Sequence, residues 1–350
     1  MPTMARRRWL VLCLGLLAGI AYFSLLPIRQ NLRMRAIQQS LSERDLTTAQ
    51  IQLEDYLRHD DTDVAAHLLA AQTARRIDDF PAAERHLNRY RELDGDKEMI
   101  ELERTMRRSQ SGDLTGATGA IQFCIRNPEN PSVPFVIEAV TRGYLAGGQP
   151  KLAADATDVW LKRNPTGGER AYVLFLRGRS HEYRGEIPDA LARYRESLTV
   201  NPKLRECTLA LANVLVLESP LEALPLLERL RTDAYQPTEV TLGIARCYRQ
   251  LGELDRAAAQ LATLETDAPS NVAVLVEAAK LALDRRRPAE AEPRLQRAIA
   301  LVPKHRDANV QLARCLRDLG REAEASAQLA KVQRIEDELS RPPPPPEKKP

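Results

Sequence analysis

Apolar residues recur along this chain with a period close to 34 residues. Nine alanines mark the period, with spacings of 34, 34, 36, 37, 33, 34, 34 and 34 residues. They are Ala49, Ala83, Ala117, Ala153, Ala190, Ala223, Ala257, Ala291 and Ala325. A large apolar residue follows most of them after four positions, and a second, mostly apolar, position follows after seven. Because positions i, i+4 and i+7 lie on one helix face, each repeat is predicted to contain a helix with a buried stripe.

Glycine and proline divide the repeats into pairs of helices. Four glycines lie five residues before an alanine of the series, and we predict that they take the positive φ of a tight turn: Gly148, Gly185, Gly252 and Gly320. Four prolines follow the alanine helix and are expected to end it: Pro165, Pro202, Pro269 and Pro303. One hairpin buries too little surface to be stable alone, so the period predicts stacked hairpins with a continuous core.

These small, large and turn positions resemble the pattern of the tetratricopeptide repeat family. In the repeat at 171–204, Gly178 takes the small position of the first helix and Tyr194 the large position of the second. The resemblance is strong from Phe135 onward, except that the repeat at 204–237 lacks the turn glycine, and it is weaker before Phe135. It implies an all-α fold, a right-handed superhelical solenoid of about eight to nine antiparallel helix hairpins.

We divide the chain into five segments. They are a basic amino-terminal flank (1–8), a transmembrane signal-anchor helix (9–27), degenerate tetratricopeptide-like repeats (28–133), tetratricopeptide repeats (134–339) and a disordered proline-rich tail (340–350). The anchor segment carries no charge and, at about 1.5 Å per residue, is long enough to cross a bilayer once. A cleaved signal peptide is the alternative, because Gly19 and Ala21 are small, but the apolar run continues beyond them through Leu26.

The arginines around the anchor predict which side of the membrane carries the repeats. Arg6, Arg7 and Arg8 lie next to one another before the span, whereas the arginines after it are more widely spaced. The positive-inside rule then places the amino terminus in the cytoplasm and the repeats outside it, in the periplasm if the source is bacterial. Repeats on the cytoplasmic side are the alternative.

The composition gives no sign of an enzyme or of a nucleic-acid-binding protein. The 51 basic and 48 acidic residues nearly balance, whereas nucleic-acid binding usually needs a clear basic excess. The sequence has none of the common phosphate, dinucleotide, zinc or serine-nucleophile motifs, so we predict no catalytic residue, no metal and no cofactor. His59 precedes several aspartates, which we interpret as a loop whose acidic residues cap the next helix. The cysteines are predicted to be free, buried thiols.

The family resemblance also implies a binding groove lined by the first helix of each repeat. One groove-facing position, which follows the small residue of that helix, is cationic in five of six repeats. The resulting column is Arg142, Arg179, Asn213, Arg246, Lys280 and Arg314, and Arg249 and Arg317 extend it on the same face. Tyr172, Phe175 and Tyr183 are candidate apolar anchors in this groove.

The chemistry of the column indicates an acidic ligand. Guanidinium groups bind carboxylates through two parallel hydrogen bonds, so the implied partner is a peptide or protein segment with acidic residues or a free carboxyl end. The alternative is a solvated face without a ligand, neutralised by acidic residues of the same helices. Those residues are Glu138, Glu182, Glu239, Glu277 and Asp318.

The sequence therefore predicts a non-catalytic, membrane-anchored scaffold for protein–protein interaction. Its expected task is to gather partners at a membrane, for example in the assembly of an envelope or secretion complex. Two other functions stay open: an auxiliary subunit of a polysaccharide- or glycan-handling enzyme system, and a self-assembling structural protein. The fold alone does not choose among them.

Overall fold

The computed structural model describes residues 29–130 and 132–340, and in these residues all regular structure is helical. The helices are α1 (29–42), α2 (Leu46–His59), α3 (Val64–Arg76), α4 (Phe80–Glu92), α5 (Lys97–Gln110), α6 (Ala117–Arg126), α7 (Val133–Ala146), α8 (Pro150–Leu161), α9 (Gly167–Tyr183), α10 (Ile187–Val200), α11 (Arg205–Glu218), α12 (Pro220–Thr232), α13 (Pro237–Gln250), α14 (Leu254–Asp267), α15 (Val272–Asp284), α16 (Pro288–Leu301), α17 (Arg306–Asp318) and α18 (Glu322–Ser340). In chain order these helices divide into nine consecutive pairs, in line with the period, and the two helices of a pair pack on each other at α3–α4, α7–α8, α9–α10, α13–α14, α15–α16 and α17–α18. Odd-numbered helices are the first helices of the pairs, and even-numbered helices are the second.

The second helices contain the nine alanines of the series, and all nine are buried. The position seven residues after each alanine is also buried in every repeat, from Tyr56 to Val332. The position four residues after the alanine is buried in seven repeats, partly buried at Ile121, and 41% exposed at Leu329. The predicted core position at Leu329 is therefore wrong. Leu329 lies on α18, the last helix that the structure describes, so no following hairpin in that part of the chain covers it.

Residues with positive φ form the turn inside most hairpins. The four predicted turn glycines have φ between 65° and 76°, which confirms that prediction. The same position, five residues before the alanine, has positive φ in four further repeats, at Arg44, Asp78, Gly112 and Arg286. Arg44 and Asp78 lie in early repeats and replace the turn glycine there, which is one reason why those repeats look degenerate in sequence. In the repeat without this feature, Ser219 alone separates α11 from α12.

The chain forms two compact units. Among the described residues, the N-terminal unit ends at Cys207 and the C-terminal unit begins at Thr208. In the C-terminal unit the first helices α13, α15 and α17 contact one another in order. In the N-terminal unit α5 packs on α7, and α7 packs on α9.

The predicted anchor at residues 9–27 lies outside the described residues, as does the proline-rich tail after Ser340. Within 29–130 and 132–340, no helix combines the length and the apolar character that a membrane crossing needs.

Candidate functional site

The predicted groove residues of the C-terminal unit lie on successive first helices, and we call them the cationic face. They are Asn213 on α11, Arg246 and Arg249 on α13, Lys280 on α15, and Arg314 and Arg317 on α17. Asn213 donates a hydrogen bond from Nδ2 to Oε1 of Glu239 at 3.0 Å, so even the one uncharged member reaches an acidic residue of the next first helix.

Glu277 is the acidic centre of this face. Its carboxylate is buried on α15 and accepts hydrogen bonds from Nε of Arg246 at 3.3 Å and from Nε of Arg249 at 2.5 Å. Arg249 also donates to Asp284 at 3.0 Å. Burial alone would lower the pKa of Arg249, but the charges of Glu277 and Asp284 and their hydrogen bonds outweigh it, so its pKa is raised. Arg249 is therefore a fixed cation of the structure.

The remaining cations of the face are more exposed than Arg249. Lys280 pairs with Asp307 at 2.7 Å, and the hydrogen bond from Lys280 overcomes the effect of burial and lowers the pKa of Asp307. Arg314 reaches Asp284 at 3.5 Å and keeps half of its side chain exposed. Arg317 is exposed and makes no ion pair within the described chain. The face is thus a ladder of salt bridges whose outer cations remain accessible to solvent.

The predicted groove residues of the N-terminal unit have different surroundings. Arg142 donates to Asp78 at 2.5 Å and to the carbonyl oxygen of Arg76 at 2.8 Å. Arg179 pairs with Glu182 at 3.2 Å, on its own helix. Burial would lower the pKa of Arg142, but the charges of Tyr172, Asp78 and Glu138 raise it. Each of these two arginines is therefore held by the chain itself.

The three candidate aromatic anchors differ in accessibility. Tyr172 is buried, with the guanidinium carbon of Arg44 only 3.2 Å from the centre of its ring. Phe175 lies between Tyr172 and Tyr194, with ring centres 5.5 and 6.1 Å away. Tyr183 is 53% exposed and stacks near Arg179. Of the three, only Tyr183 is largely exposed. Tyr172 is buried because Arg44 of the first hairpin covers its ring.

A buried ionic cluster in the N-terminal unit was not predicted, and we call it the Arg44 cluster. Arg44 lies in the turn between α1 and α2 and forms two hydrogen bonds with Glu138 of α7, at 2.6 and 3.3 Å. Nε of Arg76, the last residue of α3, binds the same carboxylate at 3.2 Å. Burial would raise the pKa of Glu138, but the two guanidinium groups hold it well below its usual range. Burial lowers the pKa of Arg76 to about 10, with Arg44 and Arg75 acting in the same direction against Glu138.

The turn that carries Arg44 also packs against later hairpins. Asn201 donates from Nδ2 to the carbonyl oxygen of Glu43 at 2.8 Å, and Arg205 lies 3.6 Å from Asp45. A Cβ atom on Gly168 would lie 2.6 Å from the carbonyl oxygen of Ser42, so only glycine permits this approach. The longest repeat spacing, 37 residues, includes this glycine. The long spacing and the arginine at a turn position are the two features of the sequence that point to this contact.

The residues of this turn line one side of an open cavity of about 880 Å³ within the N-terminal unit. Its walls include apolar side chains and both arginines of the Arg44 cluster. The apolar contributors are Leu41, Leu69, Pro134, Phe135, Trp160, Val200 and Pro202. Sequence reasoning placed the ligand on the column of first-helix cations and missed this cavity.

Metal and thiol chemistry have little support in the described residues. The only group of possible metal ligands there is His181, Glu186 and Asp189, and Arg184 already pairs with Glu186 at 2.6 Å. Asp63 caps α3 by accepting from the backbone nitrogen of Ala66 at 3.0 Å, as the loop interpretation predicts. The four cysteines of the described chain are free and buried, and burial raises their pKa values to about 11 or 12.

Comparisons with known proteins agree with this architecture. Two sequence models of the tetratricopeptide repeat match residues 215–272 and 282–341. A solved tetratricopeptide repeat protein from Parabacteroides merdae aligns with a TM-score of 0.57 and 16% identity, covering 67% of this chain and 91% of that one. PilW, described as a widely conserved type IV pilus biogenesis factor, aligns with a TM-score of 0.50 and 17% identity, covering 60% of this chain and all of its own. No curated protein matches in sequence. Residues 215–272 and 282–341 therefore match the tetratricopeptide repeat in sequence, and the chain has the fold of tetratricopeptide repeat proteins.

Proposed function

We propose that this chain is a non-catalytic, membrane-anchored scaffold that binds an acidic peptide or protein segment along the cationic face. The observation that carries the proposal is the spacing of Arg246, Lys280 and Arg314, which lie 34 residues apart on consecutive first helices. A ligand in extended conformation that crosses these helices meets one cation per hairpin. The two sequence matches to tetratricopeptide repeats include Arg246 and Arg314, and Lys280 lies between the two matched ranges.

The salt bridges of the face are compatible with ligand binding. Lys280 and Arg314 make partly exposed ion pairs, which contribute only about 0 to 1 kcal/mol each, so a carboxylate of the ligand can replace their partners at little cost. Arg246 can leave Glu277 while Arg249 still pairs with that carboxylate. The buried pair of Glu277 and Arg249 is different, because separating it would leave a charge without compensation. We therefore assign ligand contact to Arg246, Lys280, Arg314 and Arg317, and a supporting role to Arg249.

The membrane part of the proposal comes from the sequence. The uncharged segment 9–27 would anchor the scaffold and place the repeats outside the cytoplasm, where envelope or secretion complexes assemble. The similarity to PilW concerns the fold alone and does not assign this chain to a pilus system.

One crosslinking experiment tests both parts of the proposal. A membrane-impermeant crosslinker is applied to intact cells or spheroplasts that express the full chain, and the products are identified by mass spectrometry. We expect one reproducible partner, and its yield should fall about tenfold when Arg246→Glu and Arg314→Glu are combined.

The control is Arg256→Glu, which makes one such charge reversal on the exposed surface of the second helix α14. It should leave the yield of the partner unchanged. Equal yields from the double variant and the wild type would reject the cationic face as the binding site. Absence of any label on the repeats would reject their location outside the cytoplasm.

A further inference from the structure

The cavity of the N-terminal unit is lined by the guanidinium group of Arg76, of which one nitrogen atom donates a hydrogen bond to the protein. Arg76 donates to Glu138 through Nε, and its Nη1 and Nη2 atoms have no hydrogen-bond partner among the described residues. Its side chain is 12% exposed and lies over the ring of Phe135, with 5.3 Å between the guanidinium carbon and the ring centre. The free edge of a guanidinium group is the part that binds a carboxylate with two hydrogen bonds.

The lining of the cavity has three basic and three acidic residues, and each acidic residue already has a partner in the chain. Both oxygens of Glu138 are occupied by Arg44 and Arg76. Glu169 accepts a hydrogen bond from Nε1 of Trp160 at 2.7 Å, and Glu43 is exposed at the rim beside Lys203. The Arg44 cluster therefore holds two guanidinium groups against one carboxylate, and Nε of Arg44 is buried without a partner. A fixed charge next to apolar walls attracts a counter-charge more strongly than the same charge in water does.

We propose that this cavity binds a carboxylate attached to an apolar group, with the carboxylate at the Nη atoms of Arg76 and the apolar group against Leu41, Leu69 and Phe135. The volume lies within the range of about 300 to 1,000 Å³ that is typical of sites for small ligands. A carboxylate brings a single negative charge to the free edge of one guanidinium group, whereas a phosphate group would bring a larger charge. The inference goes beyond the proposed function, because its site is in the other unit and shares no residue with the cationic face.

Two sources supply this chemistry, namely the free carboxyl end of a peptide and a small organic acid. The experiment is isothermal titration calorimetry on the full chain with 4-phenylbutyrate and with the peptide Ser-Gly-Leu-Phe. The matched probes are 4-phenylbutyramide and the same peptide with an amidated end, which keep the apolar group and remove the charge. We expect at least one acid to bind and its amide to bind about tenfold more weakly. The acid that binds identifies the source.

Two variants locate the binding. Arg76→Gln should weaken binding of the acid by about tenfold or more, because the charged fork is lost. Since this change also removes a bond to Glu138, the second variant is Val200→Trp, which narrows the cavity at an exposed wall residue without touching the Arg44 cluster. Leu221→Trp, at an exposed leucine of the C-terminal unit, is its control. Failure of both acids to bind, equal binding of acid and amide, or binding that survives both cavity variants would overturn the inference.

Discussion

At the scale of single residues, the turn position with positive φ favours glycine because of its backbone conformation, yet some repeats place a residue there whose side chain makes a contact. An L-residue in this region costs roughly 1 to 2 kcal/mol, and glycine avoids most of that cost. Arg44 and Asp78 occupy the position and use their side chains, Arg44 with Glu138 and Asp78 with Gln110. Arg286 occupies the same position, is exposed, and makes no ion pair within the described chain. The strain at Arg44 is therefore offset by a buried contact, and the strain at Arg286 is not.

This difference predicts opposite effects of one substitution at two equivalent positions. Arg44→Gly should lower the free energy of unfolding by about 3 kcal/mol, because Glu138 loses a buried partner. Arg286→Gly should raise it by up to about 1 kcal/mol, because only the backbone strain is removed. Urea denaturation followed by circular dichroism measures both. Shifts in the same direction for the two variants would contradict this account of the turn.

At the scale of elements, close packing within a hairpin depends on its smallest residue. Gly178 of α9 faces Tyr194 of α10, and a Cβ atom at Gly178 would lie 2.5 Å from the tyrosine ring. The same ring is fully buried, and its hydroxyl group donates to Glu182. The small position predicted from the sequence thus fixes the distance between the two helices of this hairpin.

Two glycine-to-alanine changes test this packing. Gly178→Ala should lower the free energy of unfolding by about 1 to 3 kcal/mol, because the added methyl group overlaps the ring. Gly119→Ala should raise it by about 1 kcal/mol, because Gly119 lies in α6 with open space around it and alanine favours the helix. Thermal unfolding of the two variants gives the comparison. If Gly178→Ala is also stabilising, the helices of the hairpin are less closely packed than described.

At the scale of the molecule, the two units differ in how distant parts of the chain are joined. The salt bridges of the cationic face connect residues about one repeat apart, such as Lys280 and Asp307. The Arg44 cluster connects residues 94 positions apart, and Asn201 binds a carbonyl group 158 positions earlier. The N-terminal unit therefore depends on long-range polar contacts that the cationic face lacks.

This dependence predicts that the free energy of unfolding varies with pH because Glu138 becomes protonated. Its pKa is depressed in the folded protein, so the stability that it contributes is present above its ordinary value of 4.5 and is lost as the pH falls below it. At neutral pH, Glu138→Gln should lower the free energy of unfolding by about 3 to 5 kcal/mol. Below pH 4.5 the wild type should lose up to about 1.4 kcal/mol per pH unit more than the variant.

Urea titrations between pH 7 and pH 3 measure this difference in slope. Glu265→Gln, which breaks the partly exposed pair with Arg294, is the control and should keep the slope of the wild type. Parallel stability curves for the wild type and Glu138→Gln would show that the Arg44 cluster does not set the acid sensitivity.

Local features of the fold were predictable, because they depend on residues close together in the chain. The turn glycines and the buried alanine helices follow from spacings of four, five and seven residues. The cationic face was also predictable by position, and Glu239 and Glu277 were named as neutralising residues. The pairing of Arg44 with Glu138 was not predictable, because it depends on how the intervening hairpins stack. The cavity that Arg44 helps to line was missed for the same reason.

The approach of Ser42 to Gly168 constrains how the number of repeats can change during evolution. Duplication or loss of a 34-residue module is a common way for repeat arrays to change length. Such an event between α2 and α9 would move the Ser42 turn away from Gly168 and separate Arg44 from Glu138. The contacts of the cationic face join residues at most 35 positions apart, so added or deleted modules are expected in the C-terminal unit. Descendants of this chain should therefore vary in length after residue 207 and keep five hairpins before it.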